Sequence, residues 1–365
     1  MATQQNNNQR LQREPKFLLS NLFTDAEVVV EPVEQAKVVV AGMTEKIEKK
    51  EYPDAYFKRA FAVFKGEYSN LFKTAIWFLL SSVLFIVGLI LGRELIEKHF
   101  LGGTYNFMSG IGVGFPGGLD SISQSVSVLY GQVFQYVLLV VAGAMIIMTP
   151  FASGLFYAAK RAYYQDVYKQ NIKTYFIGFK KHWWKYMILG TIVTLILLGV
   201  GSAMLQLFSL KEIGQATAGD YIAVIIPAIV GFPIILVCFA MMGLTVTHNL
   251  TFGQTFKNAI CLIANNLVFV PITGAVTLVP IVGFAMGTMA SIITYLVMVG
   301  AGYVLLALGW IAMADRGMIK LKSLKAYFDK KYLAEVRKTN KASSAPKQAN
   351  KQKQAYQNPK KKKKK

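Results

Sequence analysis

Lysine dominates the residues that could do chemistry. The chain closes on six consecutive lysines, Lys360, Lys361, Lys362, Lys363, Lys364 and Lys365, behind Lys347, Lys351 and Lys353. From Arg316 to Lys353 the chain carries twelve Lys and Arg, those three included, opposed only by Asp315, Asp329 and Glu335. So many like charges cannot pair within the chain, and they call for a polyanion. Two polyanions fit. Anionic lipid headgroups attract a cation by about 1 kcal/mol each. Ribosomal RNA binds through counterion release, with no sequence readout and no DNA specificity implied. A second basic cluster lies at residues 160–185, with seven cations against Asp166 alone. Its interfacial members are Lys169, Lys173, Lys180, Lys181 and Lys185, interleaved with aromatics from Tyr175 to Trp184.

Catalytic chemistry finds little to work with. His99, His182 and His248 are far apart in the chain, and no His, Asp, Glu and Cys cluster has metal-ligand spacing. His182 and His248 read as interfacial hydrogen-bonding groups. Cys238 and Cys261 read as small apolar fillers rather than a disulfide framework. Asn265, Asn266 and Thr273 read as inter-helix glue. Gly110-Ile-Gly-Val-Gly lacks the Lys-Ser/Thr of a phosphate loop and reads as part of a flexible or re-entrant loop. The expectation is a non-enzymatic protein without cofactor or metal.

These cations are positioned by elements that cross a bilayer. The 365 residues are 54% hydrophobic and only 16% charged, with a mean hydropathy of +0.39. Residues 74–92, 121–159, 186–210, 221–256 and 258–314 carry no Asp, Glu, Lys or Arg. A span needs about 20 apolar residues. The last window is long enough for two, with Pro280 to Gly283 as the expected turn. The predicted fold is an all-α polytopic membrane protein with six transmembrane helices. The spans fall near 73–93, 133–158, 186–208, 221–246, 259–279 and 287–313. An outer loop covers 94–132, rich in Gly and Ser. Six spans leave both ends on one side with 37 of the 40 cations, and only Arg93, Lys98 and Lys211 opposite. The positive-inside rule then places both termini in the cytoplasm. With no cleavable signal expected, the first span directs insertion.

Residues 1–54 read as a polar cytoplasmic arm. Its 24–51 stretch is either a short strand pair or an extended segment. Tyr52-Pro53-Asp54 marks a helix start. Phe57, Phe61, Phe64, Tyr68 and Phe72 then fall on one face of a helix lying at the lipid surface. Three segments approach odd-numbered spans with a Phe-Lys pair: Phe64-Lys65, Phe179-Lys180 and Phe256-Lys257. The unit is a cytoplasmic interfacial amphipathic helix followed by a span-pair, repeated three times. Its pseudo-axis runs along the membrane normal. Residues 315–338 read as a basic interfacial helix, and 339–365 as a disordered polylysine tail.

The stretch TPFASGLFYAAKRAYYQDVYKQNIKTYFIGFKKHWWKYMILG, residues 149–190, resembles the YesL-like family of bacterial membrane proteins of unknown function. Segment 251–266, TFGQTFKNAICLIANN, is similar to a later part of that family. The resemblance covers roughly residues 55–330 and implies fold and location, with no reaction attached. Basic tails of this kind also resemble those of some YidC/Oxa insertases, which grip the ribosome. The spans lack the cation of an insertase groove, so insertion activity is not expected. The functional expectation is a membrane protein whose basic face and tail bind the ribosome, as an accessory to membrane-protein biogenesis, or anionic lipid. Other membrane proteins are further candidate partners. The alternative is the membrane component of a transporter for an uncharged solute.

Overall fold

The computed structural model describes residues 23–28, 52–53, 55–96, 122–165, 172–212, 214–285 and 288–344. Among them the regular structure is helical. In chain order the helices are α1 (Tyr56–Ile96), α2 (Ile122–Tyr163), α3 (Ile172–Glu212), α4 (Ala218–Thr247), α5 (Phe252–Asn265), α6 (Phe269–Ala285) and α7 (Thr288–Val297). A π-helical turn, Met298–Gly302, leads into α8 (Tyr303–Ser344). Among the described residues four stretches are long and apolar enough to cross a membrane: Val137–Tyr163, Ile172–Lys211, Ala218–Thr247 and Ile293–Tyr327. A fifth arises if the bent pair α5 and α6 counts as one span. The protein is thus a helical, membrane-embedded chain with several spans.

The charge-free windows anticipate α2, α3 and α4 closely. Elsewhere the structure departs from expectation. The expected turn at Pro280 to Gly283 is absent, because α6 runs through Pro280 to Ala285. The break falls earlier, at Asn266–Val268, where α5 and α6 meet at 106°. Two adjacent asparagines explain this. Asn competes for backbone hydrogen bonds, and Asn266 leaves the helical region (φ −134°, ψ 48°) while its Nδ2 donates to Leu262 O at 3.0 Å. Pro280 lies in the second half of its helix, where neighbours and lipid tolerate it. The expected span 259–279 is therefore not one straight rod. The expected outer loop is shorter too, since α1 reaches Ile96 and α2 starts at Ile122. Of the expected span 73–93, the side chains of residues 82, 84–86 and 88–93 lie outside those described.

The first approach segment and span form one helix, α1, kinked at Glu67 (φ −118°, ψ 15°). The second pair is likewise one helix, α3. In the third pair α5 stands off as a separate 14-residue helix, started by a capping box of Thr251 and Gln254. No break separates the expected last span from the expected basic helix 315–338, because α8 is continuous to Ser344. Helix also claims 339–344 of the expected disordered tail.

Contacts order the helices. Gly154 meets Tyr175, Gly178 meets Tyr157, Gly190 meets Thr149 and Gly201 meets Leu138, so α2 and α3 run antiparallel. A Cβ at Gly178 or Gly190 would collide with Tyr157 or Thr149. Small residues thus let these backbones approach closely, as lipid-embedded helices do when no hydrophobic force gathers them. Helix α4 packs against α3, where the Tyr186 hydroxyl donates to Met242 O at 2.8 Å. At Gly243 of α4 the carbonyl oxygen of Trp310 lies only 2.8 Å from where a Cβ would sit. The Trp310 indole stacks on Phe239 and donates to Thr277 Oγ1 at 3.0 Å. Burial is concentrated at one end, in residues 153–163, 240–248 and 307–318. The first half of α4 exposes Ile222, Ile225, Ile226, Ile229 and Val230, an apolar surface suited to acyl chains.

Two compact units emerge, Ala26–Met318 and Met1–Asp25 with Ile319–Lys365. In the smaller one Lys322 pairs with Asp25 at 3.2 Å. In the larger one Val28, first of a Val triplet, forms an isolated antiparallel bridge with His248. The remainder of 24–51, from 29 on, lies outside the described residues, so its two readings stay open there.

Candidate functional site

The end at which α1 begins and α2 ends gathers the buried charge. Arg59, Lys160, Arg161, His182, His248 and Asp315 come from five helices or their caps. Lys160, Arg161, His182, His248 and Asp315 are all buried. Burying an ion is costly unless it is paired or hydrogen-bonded. Tyr164 donates to Asp315 Oδ1 at 2.8 Å, and Tyr163 approaches Oδ2 at 3.4 Å. Arg59 of α1 donates to Tyr163 O at 3.1 Å and lies 4.9 Å from the centre of the Tyr163 ring. Lys160 and Arg161 flank the Tyr157 ring at 5.6 and 5.8 Å. Burial first, and then the Asp315 charge, push the Tyr164 phenol well above its ordinary range. The knot therefore joins α1, α2 and α8 through a carboxylate held by two phenols.

Chemically this knot is a clasp. Among the described residues no three His, Cys, Asp or Glu side chains could hold one metal ion. His182 lies beneath the Tyr157 ring at 6.1 Å, and His248 Nδ1 lies 2.7 Å from Thr247 Oγ1. These two histidines have separate neighbours, and His99 lies outside the described residues.

The second feature is a face of α3. Residues 172–188 bury Thr174, Tyr175, Gly178, His182 and Tyr186 on one side. The other side exposes Lys173, Phe176, Ile177, Lys180, Lys181, Trp183 and Trp184. The helical period makes this division, since buried positions recur every three or four residues. Lys185 departs from the face. It is half-buried, its Nζ 3.4 Å from Leu250 O and 5.8 Å from the Trp184 ring centre. Of the expected interfacial cations, Lys173, Lys180 and Lys181 thus share the exposed face, and Lys185 turns toward the end of α4. Lys169 and the tail set, Lys347, Lys351, Lys353 and Lys360–Lys365, lie outside the described residues.

The sequence reading missed Arg59, Tyr163, Tyr164 and Asp315 as a group. One signal existed. Asp315 is the first charge after 57 uncharged residues, and Tyr163-Tyr164 closes the longest aromatic and basic helix exit. Sequence separation hid their meeting, because the two pairs are about 150 residues apart. Compared with known proteins, the chain matches no family model, no curated protein and no solved structure. The YesL-like resemblance therefore rests on the residues quoted for it alone.

Proposed function

We propose that this is a non-enzymatic, multi-pass membrane protein whose cation-rich side faces the cytoplasm and docks on a polyanion. The ribosome is the first partner and the anionic leaflet the second. In this reading the chain, a YesL-like protein of a bacterial cell membrane, assists membrane-protein biogenesis. The supporting observation is the α3 face, where exposed Lys180 and Lys181 stand beside exposed Trp183 and Trp184. Lysine supplies charge and tryptophan an amphipathic ring, the pair that suits a headgroup layer or an RNA surface at its edge. The lysine end adds a second, longer polycation. The approach segments that open α1 and α3, and the separate helix α5, would carry these charges at one depth. Co-sedimentation with purified ribosomes tests the reading, using the full chain and one cut after Lys338. The expected result is binding that falls steeply with salt and is weakened by the cut. No binding at low salt would refute it.

A second reading, a membrane component handling an uncharged solute, is favoured by the 106° break between α5 and α6. Discontinuous helices often flank transported substrates. Solute uptake into proteoliposomes, unchanged by the Lys338 cut, would support it over the first.

A further inference from the structure

Arg316 sits apart from the clasp. Its neighbour Asp315 is engaged by Tyr163 and Tyr164, one position round the helix. The Arg316 guanidinium lies 4.5 Å from the centre of the Phe269 ring and 6.0 Å from that of Tyr56. Among the described residues these two rings are its only partners. A guanidinium carries five N–H donors in a planar fork, and stacking leaves its edges available. Phe269 is also the first residue of α6. A cation fixed on two rings thus stands beside the first side chain of α6. Leading away from this point, Phe269, Ile272, Val276 and Val279 recur on one exposed side of α6, after exposed Leu267 and Val268.

We infer that Arg316, Tyr56 and Phe269 form a phospholipid site, the headgroup phosphate on Arg316 and an acyl chain along the exposed α6 stripe. The chemistry is complementary at both ends. The guanidinium fork matches two phosphate oxygens, and the apolar stripe is continuous with it. That stripe commits the site to a lipid rather than free phosphate. Phe57, whose ring centre lies 6.3 Å from that of Phe269, closes the aromatic wall. The inference goes beyond ribosome docking and does not depend on it.

Native mass spectrometry of the full chain in neutral detergent tests the site. The probes are phosphatidylglycerol, a diacylglycerol lacking phosphate, and inorganic phosphate. The wild type should retain one phosphatidylglycerol, bind the diacylglycerol far more weakly and keep its lipid in millimolar phosphate. Arg316→Gln should weaken phosphatidylglycerol at least about tenfold, since a charge-assisted contact is lost. Arg316→Lys, which keeps the charge but not the fork, should fall between. Phe269→Leu, which keeps an apolar residue but removes the stacking ring, should weaken binding several-fold. Lys211→Gln, an exposed cation at the other end of α3, should bind as the wild type does. Unchanged lipid retention in a folded Arg316→Gln or Phe269→Leu protein would overturn the site. So would equal binding of diacylglycerol, displacement by phosphate, or an equal loss in Lys211→Gln. Ribosome co-sedimentation of Arg316→Gln should match the wild type, which keeps the two readings separable.

Discussion

Replacing Tyr164 by Phe removes one hydroxyl and leaves the ring. The lost contact is a phenol donating to a buried carboxylate at 2.8 Å. A hydrogen bond to a charged group contributes about 1.5–3 kcal/mol net. Tyr163→Phe removes a much longer contact, 3.4 Å. That distance lies outside the usual O–H···O range, so its loss should cost about 0.5 kcal/mol or less. The Arg59 guanidinium keeps the Tyr163 ring as its platform in either case. Equilibrium unfolding by SDS titration in mixed micelles measures both. In an Asp315→Asn background the acceptor is neutral, and the cost of Tyr164→Phe should shrink to about 1 kcal/mol. The pH dependence follows from the raised Tyr164 phenol. A group raised in the folded state stabilises fully below its unfolded value, near 10, and that stability is lost as pH rises beyond it. Wild type should therefore weaken above about pH 10 more than Tyr164→Phe does. A Tyr163→Phe cost equal to or larger than that of Tyr164→Phe would refute this account of the clasp.

Other consequences are open to direct measurement. Gly243→Ala should destabilise by about 1–3 kcal/mol in the same titration, because the 2.8 Å neighbour is a backbone carbonyl that cannot rotate away. Gly199→Ala meets nothing within 4 Å and should be near neutral. Thr277→Val removes the acceptor of the Trp310 indole and should cost about 0.6 kcal/mol, the average for such bonds in membranes. Lys180→Gln/Lys181→Gln should lower the ribosome-bound fraction and flatten its salt dependence, read by co-sedimentation.

The membrane-crossing core of the fold was legible where charge alone decides it. Windows without charge located α2, α3 and α4, since hydrocarbon excludes ions over a fixed length. The same signal could not find the break at Asn266, because two amides inside an apolar run barely change its hydropathy. Proline was the misleading sign there. Pro280 suggested a turn, yet a membrane helix re-satisfies the freed carbonyl and continues. The α3 face was legible, because Lys180, Lys181, Trp183 and Trp184 are neighbours in sequence. The clasp and the Arg316 site were not. They join α1, α2, α6 and α8, and only tertiary packing brings Arg59, Tyr164, Phe269 and Arg316 to one end.

The central claim is that the chain threads a bilayer and leaves its cations on one side. A membrane-impermeant thiol reagent applied to intact cells tests it, in a background of Cys238→Ala and Cys261→Ala. Lys351→Cys in the lysine end and Gln215→Cys in the turn between α3 and α4 serve as reporters. The account predicts labelling at position 215 and protection at 351 until the cells are opened. Labelling of position 351 in intact cells, with 215 protected, would contradict it.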